Sequence, residues 1–143
     1  MRKRKNSPIY VCESDFYRLE KLIQRHHDLP SARALDEELS RADLVPDKAL
    51  PKNTVTLNSR VAFVDMESGA ETEVTLVMPE DADMAQSRVS VLSPVGSALL
   101  GLKKNGYIEW PLPKGGAKKL AIVSVQREPS AAERATLANS AGS

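Results

Sequence analysis

Phe16, Leu19, Leu22 and Ile23 recur at the spacing of one helical face, with Arg18, Glu20, Lys21 and Gln24 on the other. Ser14 or Asp15 is the expected cap, and the helix is expected to end near His26 and His27. Pro30 and Ser31 open a second helix, because proline disfavours the α conformation in the residue before it and serine caps well. Leu35, Leu39 and Ala42 share one face of it, and Asp36 and Glu37 are placed early, where the helix dipole favours acids. The short connection predicts an antiparallel hairpin, each helix about 12 residues and about 18 Å long. Residues 45–53 hold Pro46 and Pro51 and no periodicity, and read as a linker.

From residue 54 the period becomes two. Residues 60–65 read as a strand with Val61 and Phe63 on one face, and residues 71–78 as its hairpin partner across the turn 66–70. Pro79 ends that strand, and Glu80-Asp81-Ala82-Asp83 forms an acidic loop. Residues 88–92 are the third strand. Tyr107-Ile108-Glu109-Trp110 is a short strand stopped by Pro111 and Pro113. After Gly115-Gly116, residues 119–127 form the last strand, with a buried centre at 120–123. Residues 129–143 are small and polar and are expected to be disordered. The fold class is α+β: a helical hairpin over residues 1–50 with a basic tail, then an antiparallel sheet domain with one short helix over 51–128.

The stretch Ser93-Pro94-Val95-Gly96-Ser97-Ala98-Leu99-Leu100-Gly101 stands at the centre of that sheet domain. Pro94 ends the preceding strand, Gly96 permits a bend, and Ser97 is expected to cap a short helix over 98–100 that exits at Gly101. The leucines require burial. The turn before them stays at the surface as a rigid, partly apolar docking point, or as a plain connection.

Length and composition narrow the function classes. A chain of 143 residues, 41% hydrophobic and 27% charged, is ordinary for one globular domain with or without a small appendage. The net charge of +1 gives no global pull toward nucleic acid or anionic membrane. Residues 1–50 carry ten basic and nine acidic groups and the remainder ten of each, so sequence-specific nucleic-acid binding is not expected. Cys12 is the only cysteine, which rules out an intrachain disulfide and suits a reducing, cytoplasmic setting. No run approaches the roughly 20 apolar residues of a membrane span. Arg2-Lys3-Arg4-Lys5 has no apolar segment behind it and reads as a solvated tail, with a weak phosphate contact as the alternative.

Catalytic signals are poor. There is no Gly-rich phosphate loop and no nucleophile elbow. His26 and His27 point about 100° apart on a helix and seldom share one metal. Asp81 and Asp83 lack the further oxygen ligands of a Ca²⁺ loop and read as a solvated tip. No cofactor or metal is expected. Trp110 reads as a core or rim residue, and Lys103, Lys104, Lys114, Lys118 and Lys119 as turn residues that form a solubilising face or a basic cluster.

Residues 88–91 with the Ser93-to-Gly101 string resemble the C-terminal domain of the bacterial transcript-cleavage factors, the Gre family. Pro79-Glu80-Asp81-Ala82-Asp83 resembles that family's hairpin loop. Leu35, Glu38, Leu39, Arg41 and Ala42, then Thr56-Leu57-Asn58-Ser59-Arg60-Val61-Ala62-Phe63, look closer to one branch, the regulators of nucleoside diphosphate kinase. The resemblance covers residues 9–127. It implies an FKBP-like C-terminal domain and an N-terminal antiparallel coiled coil. It also implies docking on a coiled coil of RNA polymerase at the rim of the secondary channel. By that likeness the polymerase-binding residues are Ser93, Pro94, Val95 and Gly96, and the coiled-coil tip is His26, His27 and Asp28. Some relatives carry an acid just before Ser-Pro, where this chain has Leu92. Cleavage factors present a pair of tip acids to a metal that activates water. Here only Asp28 is acidic, so the expectation is a regulator, not an enzyme, that competes with cleavage factors without stimulating cleavage. Two alternatives remain: a prolyl isomerase, from the fold alone, and a protein modulator of nucleoside diphosphate kinase, contacted directly or indirectly.

Overall fold

The computed structural model describes residues 4–5, 9–111 and 115–127. Short strand β1 (Arg4–Lys5) is followed by β2 (Tyr10–Cys12), helix α1 (Glu13–Arg25), helix α2 (Pro30–Ser40) and β3 (Asp43–Val45). Strands β4 (Ser59–Asp65), β5 (Glu71–Val77) and β6 (Arg88–Ser90) come next. Helix α3 (Pro94–Leu99), β7 (Tyr107–Pro111) and β8 (Ala117–Arg127) complete the chain. The large sheet has six strands in the order β1-β7-β8-β4-β5-β6, and β2 and β3 form a separate parallel pair.

The α+β reading and the hairpin of strands β4 and β5 agree with this arrangement, but the sheet is not wholly antiparallel. β6 runs parallel to β5, pairing Thr75 with Arg88 and Val77 with Ser90. Pro79 fixes φ at the start of a 3₁₀ turn (Pro79–Asp81), and a second such turn (Met84–Gln86) is capped by the Asp83 side chain. Ser87 adopts a left-handed conformation, φ 57°, and returns the chain alongside β5. The acidic stretch is therefore a compact crossover and not a hairpin tip. Asp83 is committed within it, its Oδ1 accepting the Ala85 N–H at 3.0 Å.

Three further expectations are corrected. Residues 45–53 are not a loose linker. Val45 ends β3, opposite Cys12, and the 3₁₀ turn Asp47–Ala49 offers the Asp47 carboxylate to the Ser14 N–H at 3.0 Å. The short apolar runs Tyr10-Val11-Cys12 and Leu44-Val45 thus clasp the two ends of the helical hairpin. Within the basic stretch at the N-terminus, Arg4–Lys5 is not a solvated tail but an edge strand against Glu109 and Ile108. Asp36 and Glu37 lie in the middle of α2, whose first turn holds no acid; Pro30 occupies its start, where a missing N–H costs nothing. The stretch 129–143 lies outside the described residues.

Neither hairpin helix takes the cap expected of it. Cys12 and Leu29 stand at the N-cap positions and provide no side-chain bond. Asp15 instead turns inward, 7% exposed, and accepts the Leu57 N–H at 3.0 Å. Leu19 and Leu22 of α1 and Leu35 and Leu39 of α2 join Val61, Leu76, Leu99, Leu100 and Ile122 in one buried cluster. Both halves of the chain thus share a single core. Trp110 packs against its edge, half-buried.

Candidate functional site

The organising motif folds around Ser93, not Ser97. Ser93 is the N-cap of α3: its Oγ accepts the Gly96 N–H at 3.0 Å and donates to the Ser90 carbonyl at 2.7 Å. The Ser90 Oγ in turn accepts the Leu92 N–H at 3.0 Å, so the strand stops at Ser90, two residues before the expected end. Pro94 takes the first helical position, where its fixed φ suits the helix. Ser97 is buried inside the helix, with its hydroxyl donating to the Pro94 carbonyl at 3.3 Å.

Two glycines set how closely this helix lies on its surroundings. A Cβ on Gly96 would overlap the Ser90 carbonyl oxygen. Gly101 has φ +82°, and a Cβ there would sit 2.9 Å from the Ile9 Cβ. The Gly101 carbonyl accepts the Tyr10 N–H at 3.1 Å and its N–H donates to Val55 at 3.0 Å. The end of α3 is thus the knot where β2, α3 and the segment leading to β4 meet. Ala98, Leu99 and Leu100 are fully buried beneath it.

Of the four predicted docking residues, Pro94 is exposed, Ser93 and Val95 are half-buried, and Gly96 is buried. The surface that the turn presents is therefore Ser93, Pro94 and Val95, held by a doubly bonded cap; Gly96 acts from beneath.

His26, His27 and Asp28 lie on the turn between α1 and α2. His27 Nε2 lies 3.1 Å from Asp28 Oδ1, and both side chains are solvent-exposed. The Arg33 guanidinium donates to the Asp28 carbonyl at 3.4 Å, and the Leu29 N–H to the His26 carbonyl at 2.9 Å. No group of three or more metal-ligating side chains occurs among the described residues. Lys118 pairs with Asp65 at 3.4 Å, Lys119 pairs with Glu109 at 3.7 Å and lies over the Tyr107 ring, and Lys103 lies over the Tyr10 ring. Lys114 is outside the described residues. The Asp65 carboxyl is held below its usual range, chiefly by the Glu67 N–H and further by the Ser68 N–H and Lys118.

One feature has no signal in the one-dimensional pattern. An open groove of about 660 Å³ separates the polar face of α1 from the crossover after β5. Arg18, Lys21 and Arg25 line one side, Glu80 and Asp81 the other, with Met78 and Asn58 between.

Residues 50–127 match the family described as transcription elongation factor GreA/GreB, C-terminal part, and residues 7–45 match the Rnk N-terminus. The chain belongs to the GreA/GreB family. It is 36% identical over 126 residues to the regulator of nucleoside diphosphate kinase of Escherichia coli K12, covering 87% of this chain and 93% of that protein. It is 32% identical over 116 residues to the transcription elongation factor GreA of Nitrobacter winogradskyi, covering 81% and 72%. The structure of a GreA/GreB elongation factor from Nitrosomonas europaea superposes with a TM-score of 0.69 at 40% identity, covering 85% of this chain and 99% of the other. The boundary between the two family matches falls at residues 45–50, between β3 and β4. No described helix is long and apolar enough to cross a membrane.

Proposed function

We propose that this protein is a cytoplasmic RNA polymerase-binding regulator that docks at the rim of the secondary channel and competes with Gre cleavage factors without stimulating transcript cleavage. In this reading residues 51–128 form an FKBP-like docking domain, and the helical hairpin within residues 1–50 is a short coiled coil. The observation that carries the docking half is the exposed Pro94 on a cap fixed by Ser90 and Ser93. A rigid apolar turn loses little entropy on binding and so suits a hot spot. The hairpin carries the other half. Helices of 13 and 11 residues span about 20 and 16 Å. Their tip offers one carboxylate, Asp28, already against His27, where metal-assisted hydrolysis wants convergent acids.

Binding to core polymerase tests the first half. Pro94→Asp places a charge in the contact and is expected to weaken binding about tenfold, or about 1.4 kcal/mol. A melting curve controls for the cap. Unchanged affinity in a well-folded variant refutes this site. A backtracked elongation complex with end-labelled RNA tests the second half. The protein alone leaves the RNA intact and slows Gre-induced cleavage, with relief by excess Gre factor. Shortening of the RNA by this protein alone overturns the reading.

The name of the Escherichia coli relative supports a second reading, in which nucleoside diphosphate kinase is the regulated partner. Retention of kinase but not polymerase in a pull-down would favour it.

A further inference from the structure

Arg18, Lys21 and Arg25 are spaced i, i+3 and i+7, so they form one stripe along the exposed face of α1. Glu80 and Asp81 face them across the groove. Among the described residues no ion pair joins the two walls or engages any of these five side chains; Lys21 makes only a contact over the Tyr17 ring, 4.4 Å from its centre. Opposite charges therefore stand on either side of a cavity about 660 Å³ in volume and remain open to solvent. Between them Met78, half-buried and packed against the core, gives an apolar floor.

This arrangement selects among ligands. Arg18 and Arg25 lie about 10 Å apart along the helix axis, too far to converge on one phosphate. An extended polyanion such as an RNA backbone meets the basic wall but is repelled by Glu80 and Asp81. A polypeptide segment satisfies both walls when it carries a stripe of acids on one side, a basic residue on the other and an apolar side chain between.

We propose that the groove between α1 and the crossover after β5 is a second polymerase contact, which receives an acidic, amphipathic segment of that enzyme. The proposal rests on the polymerase reading given above and adds a site distinct from the Ser93–Pro94–Val95 turn. Specificity comes from the mixed charge of the walls, because simple attraction needs only the basic one.

The test is binding of core RNA polymerase at low and at physiological salt, with melting curves as fold controls. All six substituted side chains are exposed, so folding is expected to survive. The double variant Lys21→Glu, Arg25→Glu is expected to bind about fivefold or more weakly and to lose part of the salt dependence. Arg41→Glu, Lys48→Glu, which makes the same charge change on exposed positions either side of β3, is expected to bind like the parent. The deciding variant is Glu80→Lys, Asp81→Lys. General attraction to an acidic partner predicts tighter binding, whereas a groove whose acidic wall holds a basic residue of the segment predicts weaker binding. Unchanged or tighter binding by that variant overturns the proposal, as does equal weakening by the Arg41, Lys48 pair. Failure of the parent protein to bind polymerase at all refutes instead the reading on which the proposal rests.

Discussion

The Asp15 carboxylate accepts the Leu57 backbone N–H at 3.0 Å, joining the first turn of α1 to the segment that leads into β4, 42 residues away. Both residues are buried. Asp15, an acid of the first turn of α1, thereby ties the hairpin to the sheet. Asp15→Ala leaves the Leu57 N–H buried without its acceptor and is expected to cost about 1–3 kcal/mol in urea unfolding. Asp15→Asn keeps an acceptor oxygen and is expected to cost less. An Asp15→Ala loss below about 0.5 kcal/mol would show that the bond adds nothing to the join.

Gly96→Ala and Gly101→Ala are both expected to destabilise, for different reasons. At Gly96 the obstacle is the Ser90 carbonyl, part of the backbone and unable to swing aside. A loss of about 2 kcal/mol or more is expected. At Gly101 a positive φ of +82° combines with the Ile9 side chain, for about 1–3 kcal/mol. Gly69 is the control, with φ +77° and open space, so Gly69→Ala is expected to show the conformational cost of about 1 kcal/mol alone. Equal losses at all three positions would remove the packing argument.

Leu99 and Leu100 are 0% and 1% exposed. Truncating either to alanine removes contacts and leaves a cavity, so each is expected to lose about 2–5 kcal/mol by thermal or urea unfolding. An unchanged melting temperature in both variants contradicts the burial.

Cys12 is the N-cap residue of α1, with its Sγ 3.6 Å from the Ser14 Oγ. Burial pushes its thiol up from the ordinary value of 9.0, against smaller opposing hydrogen bonds from Asp15 and Ser14. A raised thiol pKa stabilises the fold below the unfolded value, and that contribution is lost as pH climbs past about 9 and through the folded pKa. Cys12→Ala is therefore expected to flatten the alkaline side of the stability profile. At about pH 8 an aromatic disulfide reagent is expected to modify native Cys12 far more slowly than the unfolded chain. Equal rates would place the thiol at the surface.

The sequence alone determined the local features whose cause is local. The helical faces of Leu19 and Leu22, and of Leu35 and Leu39, follow from period, and the strands at Val61 and Phe63 from alternation. The rigid turn at Pro94 and the gathering of His26, His27 and Asp28 at one tip follow from residues close in the chain. Tertiary structure decided everything that needed a partner far away. Asp15 had an equal claim to a helix cap until Leu57 arrived beside it. Tyr10-Val11-Cys12 and Leu44-Val45 are too short to show a period, and they became strands only because α1 and α2 fold back and bring them side by side. β6 runs parallel because the crossover from Pro79 to Ser87 is compact enough to return the chain to the same end of β5. The facing of Arg18, Lys21 and Arg25 toward Glu80 and Asp81 is likewise invisible along the chain. Charges more than fifty residues apart meet only when the hairpin packs its leucines into the core of the sheet.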